Sequence, residues 1–446
     1  MFLKFLNFFL ILLFFQSPLY SKSKTLNDFN SRYLSNYFSG IVAYENKLNS
    51  KALKFFKTSK FLIKKHDTYL QRYIYSLVLE GRVQEATNEI KQNLTENNSN
   101  FFELYLILTL DSLKKKNYEK AKKHLEKSYA FIDNDRISLI ITETLKQYIY
   151  VFENNKIPHI QKKFGNFSLI NEVFQRCYLS DKNTDIYFNK IVNSENGGDY
   201  SRYIFFYINY LIENRKYSEA KKITENLDYL DLSLLNSQGK KWIEDKRFKE
   251  FKNFFSCRNS KDIISELFFL VANLYSSQGD YEQSNFYLNI SHYLNPKFIF
   301  NLSLLAENYY LNEDYINTSK TLKFFDNNNN FYFWFRLKKE AQMILKKKNI
   351  NSSLAFINSN FKKIKDPSIK MIFDIANFNK NAEKYKEAIQ YYDEIIVKID
   401  VSSSLYSEIL FRRGGSYERI GDFINSDKDL LKALEINPED AYVLNY

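Results

Sequence analysis

Two distant stretches of this chain carry the same punctuation. Gly279-Asp280-Tyr281 and Gly421-Asp422-Phe423 are each followed, at the same distance, by an apolar-Asn-Pro triplet: Leu294-Asn295-Pro296 and Ile436-Asn437-Pro438. Each stretch reads as a helix, a tight turn at Gly-Asp-aromatic, a second helix and a proline stop. Proline ends the second helix because it lacks the amide donor and its ring collides with the preceding turn. A chain built from such units stacks hairpins side by side instead of folding around one central core.

The register continues elsewhere. Small residues recur early in the second helix of the unit: Ala52, Ala86, Ala121, Ala220, Ser284, Thr318, Ala388 and Ser426. An aromatic often precedes them by three positions, as at Tyr118, Tyr217, Tyr281, Tyr315, Tyr385 and Phe423. Gly40 and Gly414 occupy a small site of the first helix, filled elsewhere by Ala272, Ala306 and Ala376. Gly81, Gly279 and Gly421 fall at the turn between helices. The physical reason is close approach. The second helix crosses the first near the small side chain, and a bulky one would force the pair apart.

This pattern resembles the tetratricopeptide repeat (TPR), a helix-turn-helix unit of about 34 residues. The resemblance implies an all-α fold, a right-handed α-solenoid of antiparallel helical hairpins, with roughly twelve repeats fitting the chain. It also implies a groove lined by successive first helices, which commonly takes an extended peptide or a helix. The arrangement is similar, too, to large exported TPR proteins of alphaproteobacteria.

Composition agrees with a repeat array. At 446 residues the chain is long for one compact core. Only 10 Gly and 5 Pro leave no material for long linkers or a many-turned β protein. A hydrophobic share of 45% excludes disorder. The 41 Phe and 35 Tyr come with abundant Lys, Asn and Ile, the bias of an AT-rich genome, so their number alone identifies nothing. The formal charge of +12 is scattered among acids along helices, as on solvated faces. No nucleic-acid-binding signature is present.

The first residues read as a secretory signal peptide, residues 1–21: a short basic start, the apolar run Phe5–Phe15, and Ser21 as a small residue at the cleavage point. The expected location is therefore the periplasm, the alternative being an uncleaved anchor in the inner membrane with a membrane-peripheral protein. TPR-like repeats are expected over 22–154, an irregular helical region over 155–200 with a loop near Asn193 to Asp199, and further repeats over 201–446. The last of these begins a new first helix after Pro438 and stops, so the natural chain is expected to continue. Cys177 and Cys257 are the only cysteines, and nothing in the sequence brings them together; two separate free thiols are expected.

Chemistry-bearing motifs are missing from the sequence. His66, His124, His159 and His292 are isolated, without metal-ligand spacing. There is no phosphate-cradling glycine loop and no Gly-x-Ser-x-Gly elbow. Carboxylates such as Glu119 and Glu126 lie at solvent spacing, with no pair assignable to acid–base work. Neither a catalytic residue nor a cofactor is expected.

The repeat register predicts which side chains face the groove. In three repeats a Phe precedes an Asn by four positions, on one helix face: Phe205/Asn209, Phe269/Asn273 and Phe373/Asn377. Glu307 and Tyr310 of a neighbouring repeat, and Lys380 of a later one, join them. The amides would bind a partner's main chain and the rings would supply apolar contact. A clamp for a C-terminal carboxylate is not expected, because Phe stands where such TPR domains carry Lys. In the N-terminal repeats the equivalent positions are Ile41, Tyr44, Tyr75, Val78, Leu110 and Leu113, an apolar groove that a partner or the chain's own Lys22 to Ser35 segment could cover. The function expected from all this is an exported scaffold binding protein or peptide partners at the cell envelope. The alternative is a non-catalytic region of a larger envelope enzyme or regulator whose active domain lies beyond residue 446.

Overall fold

The computed structural model describes residues 31–444, apart from 96–97, 133–134, 160–162, 194–200, 228–232, 326–328, 402 and 440. The signal-peptide residues 1–21, the segment from 22 to 30, and Gly197-Gly198 within the expected loop lie outside the described residues. The described residues form 24 α-helices and no strand. Among them no helix is long and apolar enough to cross a membrane.

The chain divides into two compact units, Met1–Ser76 with Ile90–Ser99, and Leu77–Glu89 with Asn100–Tyr446. The first holds α1 (Ser31–Glu45) and α2 (Asn49–Thr58), with most of α3 (Asp67–Leu79) and the end of α4 (Val83–Asn93). Its core is aromatic: Tyr37 stacks on Tyr69, and Phe56 meets Tyr69 edge-on. Gly40 on α1 is a required glycine, since an added Cβ would lie 2.8 Å from the Phe56 ring.

The second unit continues with α5 (Phe102–Lys114) and α6 (Tyr118–Ser128), then α7 (Arg136–Asn154). The region 155–200 contains α8 (Asn166–Tyr178) and α9 (Thr184–Val192), which pack on each other. Hairpins follow in order: α10 (Ser201–Glu213) with α11 (Tyr217–Glu225), α12 (Leu234–Glu244) with α13 (Phe248–Phe254), and α14 (Ser260–Ser277) with α15 (Tyr281–Leu294). Next are α16 (Asn301–Leu311) with α17 (Tyr315–Leu322), and α18 (Asn330–Lys347) with α19 (Ile350–Phe361). The series ends with α20 (Ile369–Asn381) and α21 (Tyr385–Ile396), α22 (Ser404–Arg419) and α23 (Phe423–Ile436), and the short α24 (Ala441–Leu444). This is an α-solenoid of antiparallel hairpins.

One turn geometry joins the two helices of hairpin after hairpin. After α22, the amide of Gly421 donates to Glu418 O and that of Asp422 to Tyr417 O. The same two bonds run from Lys116 and Asn117 after α5, from Glu313 and Asp314 after α16, and from Glu383 and Lys384 after α20. This paired closure satisfies the last carbonyls of the first helix and needs one left-handed residue. Glycine supplies it at Gly81, Gly279 and Gly421, whereas Lys47, Lys116, Arg215, Lys246, Glu313 and Glu383 hold the same conformation at φ 55–61°. The next residue often caps the second helix: Asp280, Asp314 and Asp422 each accept the amide three residues on.

The small sites lie where helices cross. Ala52, Ala86, Ala121, Ala220, Ser284, Thr318, Ala388 and Ser426 are all buried. A Cβ on Gly414 would stand 3.0 Å from the Leu430 side chain. Gly239 in α12, in a stretch without clear repeat signature, plays the same part against the Phe205 ring at 3.1 Å.

The two cysteines are joined. Cys177 and Cys257 form a disulfide with Cα atoms 5.8 Å apart at a sequence separation of 80, which corrects the expectation of separate thiols. The reason is tertiary. Helix α14, which follows Cys257, packs against α7 and α8, and α8 carries Cys177. Phe255 lies against Phe174 and Phe206 beside the bond, with ring centroids 5.8 and 4.5 Å away. Hairpin order along the sequence did not reveal this return.

Candidate functional site

The first helices of successive hairpins, α10, α12, α14, α16, α18, α20 and α22, carry the residues expected to face a groove. At the start of that series the face is closed. Arg202 of α10 donates from Nε to Glu266 Oε1 of α14 at 2.7 Å, and from Nη2 to Glu266 Oε2 at 2.6 Å and to Asn301 Oδ1 of α16 at 2.8 Å. The rings of Phe206, Phe269, Phe298 and Phe300 surround its guanidinium, Phe269 at 3.6 Å. Glu266 is 1% exposed; burial pushes its carboxyl above the usual range while Arg202 pulls it down. Removing this ion pair from water is unfavourable, and the bidentate geometry with added hydrogen bonds offsets it.

Phe205 and Asn209 are therefore corrected as groove residues. Phe205 is fully buried, its ring packed against Phe251, Phe254, Trp242 and Phe298. The absence of a side chain at Gly239 makes room for it. Asn209, also buried, donates to Phe255 O at 2.7 Å and Phe251 O at 3.3 Å, so its amide binds this chain's own backbone. Tyr75, Val78, Leu110 and Leu113 are buried as well and offer no apolar groove, while Ile41 and Tyr44 are half-buried.

The other positions fare differently. Phe269 is buried under Arg202, and Asn273 one turn on is exposed. Glu307 and Tyr310 of α16 are half-buried and share one neighbour, Lys339 of α18, whose ammonium pairs with Glu307 and lies 4.5 Å from the Tyr310 ring centre. Phe373 of α20 is buried, with Lys370 Nζ at 5.7 Å and the Arg412 guanidinium of α22 at 5.5 Å from its ring. Asn377 is half-buried and accepts the Tyr392 hydroxyl at 2.7 Å. Lys380 is half-buried; burial and the charges of Arg412 and Arg419 hold its ammonium below the usual lysine range, against Glu408.

Arg202, Lys339 and Arg412 were not singled out from sequence, although one signal was there. The position three before each register Phe is charged in all three repeats: Arg202 before Phe205, Glu266 before Phe269, Lys370 before Phe373. The first two of these are partners in the buried ion pair.

A cleft of about 600 Å³ lies between α12 and the starts of α18 and α20, bordered by Trp242, Phe331 and Met371 among others. Its charges are partly spent on local pairs, Lys241 with Asp245 at 3.0 Å and Arg247 with Glu250 at 3.3 Å. Among the described residues, no three His, Cys, Asp or Glu side chains gather as metal ligands.

Residues 407–440, spanning most of α22 and α23, match the tetratricopeptide-repeat family. No curated protein sequence matches the chain. Among solved structures, yeast Tom70 is similar at 13% identity, with 93% of each chain covered and a TM-score of 0.32. Cut9 in the APC/C hetero-tetramer Cut9-Hcn1 shows 11% identity over 94% of this chain and 84% of that one, TM-score 0.32. The P58(IPK) TPR domain shows 13% identity over 93% and 95%, TM-score 0.22.

Proposed function

We propose that this tetratricopeptide-repeat protein is a non-catalytic scaffold, exported to the periplasm, that binds a protein partner at the cell envelope on the first-helix face from α16 to α22. The observation that carries the reading is the contrast along that face. It is plugged by Arg202 and its phenylalanines at α10 to α14, and it presents half-buried polar groups, Tyr310, Asn377 and Lys380, at α16 to α22. Partly exposed polar and aromatic side chains on rigid helices are suited to a peptide or helix.

Two observations support export. The first 21 residues have the layout of a secretory signal. The Cys177–Cys257 disulfide belongs to an oxidising compartment, where such bonds persist.

The test is site-specific photo-crosslinking in living cells, with the crosslinker at Tyr310 or, as a control on the outer surface of α23, at Ile424 (85% exposed). The reading expects a discrete protein adduct from Tyr310 and none of the same mass from Ile424. Equal patterns from both sites would remove the face as the binding surface. Fractionation of the same cells tests export: the mature chain should accumulate with periplasmic proteins, and retention in the cytoplasm would overturn that part.

A further inference from the structure

Beyond the protein-binding reading, we propose that the cleft between α12 and the starts of α18 and α20 binds a small organic monoanion, a single carboxylate on an apolar or aromatic body. The site is built by helix caps. Asn329 caps α18, accepting the amides of Phe331 at 3.0 Å and Tyr332 at 3.4 Å, and Ser368 caps α20, accepting that of Met371 at 3.3 Å. The same region ties the walls together. Asn329 donates its side-chain amide to Gln238 of α12, and Asn330 donates to Lys365 O, in the loop before α20, at 2.8 Å. These bonds preform the cleft, and its volume of about 600 Å³ falls within the range of about 300–1,000 Å³ usual for small-ligand sites. It opens at helix starts, and it joins α12 to hairpins three and four places further along the series.

The charge of the ligand follows from donors that the fold leaves unspent. Ser237, Gln238 and Trp242 of α12 line the cleft and are only 8%, 3% and 6% exposed. Among the described residues, the Ser237 hydroxyl, the Gln238 amide nitrogen and the Trp242 indole N–H meet no acceptor; the one side-chain bond of Gln238 is the one its oxygen accepts from Asn329. Polar groups buried this deeply are unfavourable unless hydrogen-bonded. Two further donors are main chain. Asn330 and Ile369 open α18 and α20, helices of 18 and 13 residues, and neither amide is taken by a cap. Both helix N-termini favour negative charge at this point. The number of charges follows from the rim. Its four Lys and Arg side chains, Lys241 and Arg247 among them, are matched by four acids, Asp245 and Glu250 among them. A polyanion gains nothing from a neutral rim, whereas one carboxylate is served by the donors inside. Half-buried Phe331, Pro367 and Ile369 supply the apolar wall for its body.

The test is calorimetric titration of the mature chain with 3-phenylpropionate, its neutral amide 3-phenylpropionamide and inorganic phosphate. Wild type should bind 3-phenylpropionate at one saturable site, and the amide about tenfold more weakly or less. Phosphate should not compete. Ser237→Ala and Trp242→Phe each remove one donor, and each should weaken binding of the acid about fivefold. Lys428→Gln on the exposed surface of α23 should change nothing. Melting curves accompany each variant. Ser237→Ala removes a hydroxyl that bonds to nothing else in the described chain, so it should melt with wild type; should Trp242→Phe lose stability through packing, Ser237→Ala decides. Absence of saturable binding up to about 10 mM would overturn the proposal. So would equal affinity for acid and amide, or wild-type affinity in both donor variants, which would place the probe elsewhere. A lower melting temperature for Ser237→Ala would also overturn it, because the hydroxyl would then serve the fold. The Tyr310 crosslink is read independently, so the scaffold and the ligand site stand or fall separately.

Discussion

At the scale of single residues, backbone geometry outweighs side-chain identity. The hairpin turn needs a left-handed residue, and Glu383 supplies it at φ 59° where Gly421 does so at 81°. A non-glycine residue there carries about 1–2 kcal/mol of strain, partly offset by the greater chain entropy that glycine loses. Glu383→Gly is therefore expected to stabilise by about 0.5–1 kcal/mol, read as a higher urea midpoint, while Gly421→Ala lowers it. Only the glycine-bearing turns were legible in the sequence. The turns at Lys116, Arg215 and Glu383 were not, because main-chain hydrogen bonds define them and almost any residue can be forced into place. A second residue-scale expectation concerns Asp262 of α14, which accepts the Ser256 amide and the Asn259 side chain. Burial raises its pKa from 3.8 to about 6, with Glu213 adding to the shift and Lys297 and Lys261 opposing it. A raised carboxylate pKa means that the folded state binds the proton more tightly than the unfolded chain. Its contribution is fully present below the ordinary value and lost as pH rises through about 6. Asp262→Asn should flatten the stability profile between those pH values; an unchanged profile would refute the assignment.

At the scale of elements, the ion pair between α10 and α14 decides what the face can do. Arg202→Ala strands a buried carboxylate and is expected to destabilise by about 3–5 kcal/mol, whereas Arg202→Met with Glu266→Leu should recover most of that. Chemical denaturation of the three chains checks this, and a mild effect of the single change would mean that water already solvates Glu266. The helices themselves were readable from small residues and turns spaced by the repeat. The environment of a given helix face was not. Phe205 and Phe373 share a register position, yet one is enclosed by α12 and α13 and the other sits beneath Arg412. Aromatic spacing fixes a direction from a helix and says nothing of what stands opposite. The charge three residues before each Phe was the better guide, since a cation and an anion at equivalent positions of nearby repeats can pair.

At the scale of the whole molecule, the disulfide is the contact that repeat logic could not foresee. Nearest-neighbour stacking would keep Cys177 and Cys257 several helices apart, and the return of α14 onto α7 and α8 brings them within bonding range. Closing a loop of this length is expected to contribute about 2–4 kcal/mol through the unfolded chain. Mass spectrometry should find the oxidised chain two hydrogens lighter than the reduced one, and Cys257→Ser should melt earlier than wild type. Matching melting curves would show that the bond is idle. A cross-link placed there also has a mechanical meaning. Were a bound partner to pull on the chain from its two ends, the tension would pass through the sulfur bridge and bypass the helices between Cys177 and Cys257. That stretch, a sequence separation of 80 with about 270 Å of contour, would stay slack while the rest of the stack stretched.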